Sequence, residues 1–234
     1  MIKRYTVLGY TLEVDTSNDA AIAEKIARQQ ARERALKIQD YRIECFSDKT
    51  LRQCTFENDD QSQAALTACA KDFVNEFLQS QGKCKGLLFY GKVGRGKTFI
   101  SACIANALID NCVSCYMTTF SRISNALQAT WEKEYYIRQL MHYDLLIIDD
   151  LAAERNTEYM KEIVTTVIDE RYRSGRPLIV TTNMTGQEMK NPADIGTDRI
   201  LSRLFEMCDP VEVVGIDRRK EKLKKRIKQK GATK

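Results

Sequence analysis

Residues 89–101, FYGKVGRGKTFIS, constrain this 234-residue chain more than any other stretch. Gly91, Gly96, Lys97 and Thr98 fit the spacing G-x-x-x-x-G-K-[ST], with Gly94 as an extra glycine. A loop that wraps its N–H groups around phosphate oxygens needs backbone angles that side chains obstruct. The flanks agree with that use. GLLFY (86–90) reads as a strand running into the loop, and KTFISACIANALID (97–110) as a helix leaving it. The helix points its positive dipole end at the anion. Lys97 is placed to reach the β and γ phosphates, and Thr98 to offer a hydroxyl to Mg²⁺. The expected socket comprises Gly91, Val93, Gly94, Arg95, Gly96, Lys97, Thr98 and Phe99.

A second element is LLIIDDL (145–151). A continuously apolar strand is the kind buried on both faces of a parallel sheet. Its acids fall at the carboxyl end, beside the loop. Asp149 is expected to hold Mg²⁺ directly or through water. Asp150 is placed to orient or deprotonate an attacking water, or else to cap a helix or pair with a base.

Around these two elements, helices and strands alternate. Helical patterns cover 64–79, 121–141, 156–173 and 198–207. Strands are expected at 113–119, 144–149, 177–183 and 211–214. Such alternation predicts an α/β domain with a mainly parallel five-stranded sheet flanked by helices. Ahead of it, 4–15 reads as a short hairpin around Gly9 and 17–39 as a helix with a thin apolar stripe. Residues 40–58 read as irregular. The expected organisation is a small N-terminal extension (1–50), an ATPase domain (51–217) and a basic C-terminal tail (218–234).

Charge sharpens that division. The net charge is +5, yet residues 218–234 hold ten Lys/Arg and one acid, Glu221. The remainder carries 27 basic and 31 acidic residues. The tail is therefore either a solvated helical end or an electrostatic contact to a nucleic-acid backbone. No apolar run approaches the roughly 18 residues of a membrane span. The opening residues MIKRYTVLGY lack the long apolar stretch of a signal peptide, so a cytoplasmic protein with no membrane partner is expected. The eight cysteines include one CxxC, Cys112 and Cys115, with no second pair to close a zinc site. They read as reduced, partly buried thiols. His142 is the lone histidine, which leaves little room for a nucleophile–histidine mechanism.

A phosphate socket with acids serves several kinds of machine, among them small-molecule kinases, transport ATPases and ring ATPases. Two residues choose among them. Asn183 ends the strand LIVTTN, where an amide can contact the γ-phosphate or its water. Arg203, in RILSRLF, is placed to reach a neighbouring subunit's nucleotide as an arginine finger. The plainer readings are a turn residue and a surface ion pair. A small-molecule kinase would want an arginine-rich lid, which the sequence lacks.

In order and spacing, QCTFENDD, ALTACAKDFVNEF, GKVGRGKT, LLIIDDLAAERNTEYMKEIV, TTN and DRILSRL resemble the AAA+ ATPase domain of bacterial replicative helicase loaders of the DnaC/DnaI type. The resemblance covers roughly residues 50–220, and IstB-type transposition helper ATPases are close cousins. It implies an AAA+ P-loop fold with no separate helical lid domain, binding ATP and Mg²⁺. It further implies catalytic roles for Lys97, Asp150, Asn183 and Arg203, and a late nucleotide-sensing arginine at Arg219 or Arg218. It implies contacts of Trp131, Thr157 and Tyr159 with single-stranded DNA; Tyr159 can equally pack between helices. Many proteins of this kind carry Glu where Asp150 stands. The implied partners are a DnaB-type replicative helicase, single-stranded DNA and further copies of the chain in a spiral or ring. The implied function is an ATP-dependent loader that delivers a hexameric replicative helicase onto single-stranded DNA during replication initiation. A transposition helper and a small-molecule kinase are the alternatives.

Overall fold

The computed structural model describes residues 2–7, 10–15, 19–60, 62–151, 157–218 and 220, with side chains from residue 21. Arg219, residues 221–234 of the tail and the hairpin tip at Gly9 lie outside the described residues. The chain forms two compact units, Met1–Asp40 and Tyr41–Lys234.

In the first unit, β1 (Ile2–Val7) pairs antiparallel with β2 (Tyr10–Asp15), from Ile2 opposite Asp15 to Val7 opposite Tyr10. Helix α1 (Asp19–Cys45) follows. Ile22, Ile26 and Leu36 stay about half exposed on it, in keeping with the thin stripe.

The second unit holds a five-stranded sheet in which each pairing is parallel. Its strands, in chain order, are β3 (Gly86–Tyr90), β4 (Cys115–Thr118), β5 (Leu145–Leu151), β6 (Leu178–Thr182) and β7 (Cys208–Glu212). Across the sheet they run β4-β5-β6-β3-β7. The three central strands are apolar runs because helices cover both faces. Leu145 to Ile148 and Leu178 to Val180 are all 0% exposed. Helices α2 (Ala64–Ser80), α3 (Lys97–Ile109), α4 (Phe120–Ala129), α5 (Lys133–His142), α6 (Glu158–Ser174), α7 (Gly186–Lys190) and α8 (Ile195–Met207) complete it. α2 buries Ala70, Phe73, Val74 and Phe77 along one stripe, and α6 buries Ile163, Val164, Val167 and Ile168.

Four local expectations change. α1 continues through Cys45, and a 3₁₀ turn at Lys49–Gln53 follows, capped by Asp48. Burial explains this, since Cys45 and Phe46 are 0% exposed. The single helix expected over 121–141 is two helices, because Thr130 takes an extended conformation and its hydroxyl accepts from Glu132 N at 3.1 Å. That side-chain bond competes with the helical ladder. The last strand begins at Cys208, ahead of Pro210, because β7 is an edge strand where a missing N–H is tolerated. Finally, β5 runs past Asp149 to Leu151, with a register irregularity between Ile148 and Leu151.

Candidate nucleotide site

Parallel order brings the carboxyl ends of β3, β5 and β6 side by side, and the predicted residues leave from those ends. The loop after β3 turns at Gly91, φ +129°, where an added Cβ would stand 2.7 Å from Val213 O. Gly96, φ +96°, is the N-cap of α3 and offers no side chain to its first turn. The leading N–H groups of that helix therefore have no side-chain cap and suit an anion.

Lys97 is 6% exposed. Its Nζ donates to Gly91 O (2.7 Å), Lys92 O (3.1 Å) and Asn183 Oδ1 (2.8 Å). Thr98 Oγ1 lies 3.0 Å from both oxygens of Asp149. Thr181 Oγ1 donates to Asp149 Oδ1 at 2.7 Å and accepts from Asp150 N at 2.9 Å. Asn183 Nδ2 donates to Asp150 Oδ1 at 2.5 Å. Burial pushes the Asp149 carboxyl above the ordinary carboxylate range, against the pull of the Thr181 and Thr98 hydroxyls. Asp150 has φ +64°, a left-handed backbone inside a strand.

These groups line a cavity of about 740 Å³ with Val93, Gly94, Arg95, Gly96 and Phe99. Its wall extends to Thr50, Leu51, Cys54 and Asn58. Arg218 also lines it, donating to Asp60 Oδ1 (3.0 Å) and Ser62 Oγ (2.8 Å), with its guanidinium 5.6 Å from the Phe99 ring centre. The chemistry is that of a phosphate site. A cation and uncapped N–H groups face a half-buried carboxylate and a hydroxyl suited to a divalent cation, with a second acid held by an amide.

Other predicted residues lie elsewhere. Arg203, on α8, bonds Asp169 (3.5 Å) and Glu206 (3.4 Å) and lies 4.5 Å over the Tyr172 ring. It does not line this cavity. Trp131 sits between α4 and α5, fully exposed. Thr157 is the N-cap of α6, accepting from Met160 N at 3.2 Å, and Tyr159 is 40% exposed in its first turn. None of the eight cysteines forms a disulfide. Burial pushes the Cys45, Cys103 and Cys115 thiols up, and Cys208 up to about 12.

Sequence reasoning missed Thr181, the hydroxyl that binds both acids. Its signal was the polar pair TT at the end of an apolar strand beside the acids. It also missed the wall formed by residues 50–58, where the stretch QCTFENDD carried a resemblance but no site role.

Known proteins resemble more than half of the chain. The replicative helicase loader DnaC of Escherichia coli strain K12 is 30% identical over 146 residues, 59% of this chain and 58% of that protein. The replicative helicase loader DnaI of Bacillus subtilis strain 168 is 29% identical over 174 residues, 68% and 55%. The chain thus spans less than two thirds of the length of these relatives. The crystal structure of DnaI superposes with a TM-score of 0.62 at 22% identity, covering 74% of this chain and 95% of that one, which shows a shared fold. No described helix is long and apolar enough to cross a membrane. A family model for IstB-like ATP binding proteins matches residues 16–226, and the chain belongs to that family.

Proposed function

We propose that the chain is an ATP-dependent loader that delivers a hexameric replicative helicase onto single-stranded DNA during replication initiation. One observation carries the reading. The Lys97–Asn183–Asp150 chain and the Thr98–Asp149–Thr181 cluster meet at one cavity, while Arg203 stands on a separate helix surface. Such a site can bind nucleotide alone, and a neighbouring copy's Arg203 would add a further cation for the charge that develops during hydrolysis. That supports assembly of copies into a spiral or ring. The names of the DnaC and DnaI relatives support a helicase as the cargo.

In this reading the γ-phosphate displaces Lys97 from Gly91 O and Lys92 O. Asp150, steered by Asn183, takes the proton of the attacking water. Thr98 and Asp149 fit Mg²⁺, since hydroxyl and carboxylate oxygens stand 3.0 Å apart at the phosphate loop. Bound Mg²⁺ would neutralise charge on the phosphate oxygens. Arg218, already lining the cavity, is a nucleotide-sensing arginine in cis, alone or with Arg219. Trp131, Thr157 and Tyr159 form the contact to single-stranded DNA, the fully exposed Trp131 stacking on a base. Residues 1–50 grip the helicase, 51–217 form the ATPase domain, and 218–234 add an electrostatic hold on DNA. The protein acts in the cytoplasm.

The test pairs two variants. Lys97→Ala abolishes ATP binding. Arg203→Ala leaves ATP affinity within about twofold but lowers DNA-stimulated hydrolysis by roughly a thousandfold, the scale of a lost arginine finger. Equal loss of nucleotide affinity in both variants sinks the assignment in trans. Retention of a transposase, with no helicase, in an ATP-dependent pull-down would make the chain a transposition helper instead.

A further inference from the structure

Asn106 is the one side-chain amide in the otherwise small and apolar run ISACIANALI of α3, and it is 1% exposed. It uses both ends. Its Nδ2 donates to Ala102 O (3.0 Å), Leu51 O (2.9 Å) and Cys54 O (2.9 Å). Its Oδ1 accepts from Arg42 Nε at 3.1 Å. Arg42 also pairs with Asp110, just past the end of α3. The bond to Ala102 stays within the helix. The other three reach segments far away in sequence.

Leu51 and Cys54 line the nucleotide cavity with Thr50, whereas Asn106 does not. The opposite end of α3 carries Lys97 and Thr98, roughly 13 Å along the helix axis. One helix therefore holds the phosphate groups at its first turn and the remaining wall of the same cavity at its third. The wall needs that hold. It is a 3₁₀ turn followed by extended chain, with Cys54 N donating to Leu51 O as its own internal bond. A short turn of this kind has little ladder to stiffen it.

We propose that Asn106 is a positioning residue that sets the nucleoside-side wall of the cavity, with Arg42 bracing it from behind. The proposal rests on the reading of this cavity as an ATP site. It makes ATP affinity depend on Asn106 through the part of ATP beyond its phosphates. Tripolyphosphate, which needs only the loop and the first turn of α3, is indifferent to it.

The experiment measures displacement of a fluorescent ATP analogue from the full chain by ATP and by inorganic tripolyphosphate, with Mg²⁺ present. Asn106→Asp keeps the shape and the acceptor for Arg42 but turns oxygen toward the Leu51 and Cys54 carbonyls. ATP affinity is expected to fall about tenfold, the scale of one to two net hydrogen bonds, and tripolyphosphate affinity to stay within about twofold. Arg42→Met, at a partly exposed site, is expected to move the ratio the same way by about threefold. It decides the matter if Asn106→Asp does not fold. Equal weakening of both ligands, or an unchanged ratio in folded variants, overturns the role of Asn106. A wild-type chain that binds neither ligand nor analogue overturns the nucleotide reading and the proposal together.

Discussion

Among the described residues two cations are buried, one toward each end of the sheet, and they are held in different ways. At the amino end, Arg171 of α6 is 0% exposed. Its fork donates to Pro177 O, Tyr143 O, Asp144 O and, at 3.4 Å, Met141 O. Those carbonyls lie around the starts of β5 and β6. Burial and the neighbouring Arg176 pull the guanidinium down to about 9, while the carbonyls engage donors in a fixed fork. At the carboxyl end, Lys97 is nearly as buried but makes a point contact with two loop carbonyls and one amide. A guanidinium fork saturates its surroundings and stays. An ammonium on a flexible stem can leave when a phosphate arrives. The first is a clamp for the fold, and in the proposed function the second is a group kept ready to move.

Substitutions can break that contrast. The largest expected effect is Arg171→Met, which leaves several buried carbonyls without donors and costs about 3 kcal/mol or more in urea unfolding. Arg171→Lys recovers less than half, since three donors on a point charge cannot replace the fork. Lys97→Ala is expected to abolish measurable ATP binding, a loss of about a hundredfold or more, while changing stability by under ~1 kcal/mol. If Lys97→Ala unfolds the chain as readily as Arg171→Met, both cations are structural and the contrast fails. The smallest effect concerns Asp149. Its folded pKa is raised, so the folded state favours the neutral carboxyl, and its contribution to stability falls as pH rises through that value. At neutral pH the ionised group is a cost. Asp149→Asn is therefore expected to raise the melting temperature of the nucleotide-free chain slightly, while removing hydrolysis. A lower melting temperature would mean that the Thr98 and Thr181 hydroxyls outweigh burial.

The same contrast explains what the sequence discloses. Lys97, Thr98, Asp149, Asp150 and Asn183 were legible because phosphate chemistry demands those residue types at fixed places on a strand–loop–helix frame. The central strands were legible because burial on both faces leaves continuous apolar runs. Arg171 was not, since in the stretch DERYR it resembles any charge on a solvated helix end. Its partners are carbonyls, which leave no trace in residue identity. Asn106 escaped for the same reason: three of its four contacts are main-chain oxygens. The break at Thr130 was hidden because no glycine or proline marks it, only a hydroxyl that bonds locally.

Asp150 gives the strand irregularity an evolutionary meaning. Its φ of +64° puts a side chain where most residues are strained, and aspartate and asparagine are among the few that settle there. In the proposed function, backbone and reaction thus select the identity of position 150 jointly. Asparagine would suit this backbone and lose the proposed proton acceptor. Glutamate would extend the carboxylate toward a water and sit less easily on the turn. A lineage drifting from Asp150 toward glutamate would therefore be expected to relax this bulge first.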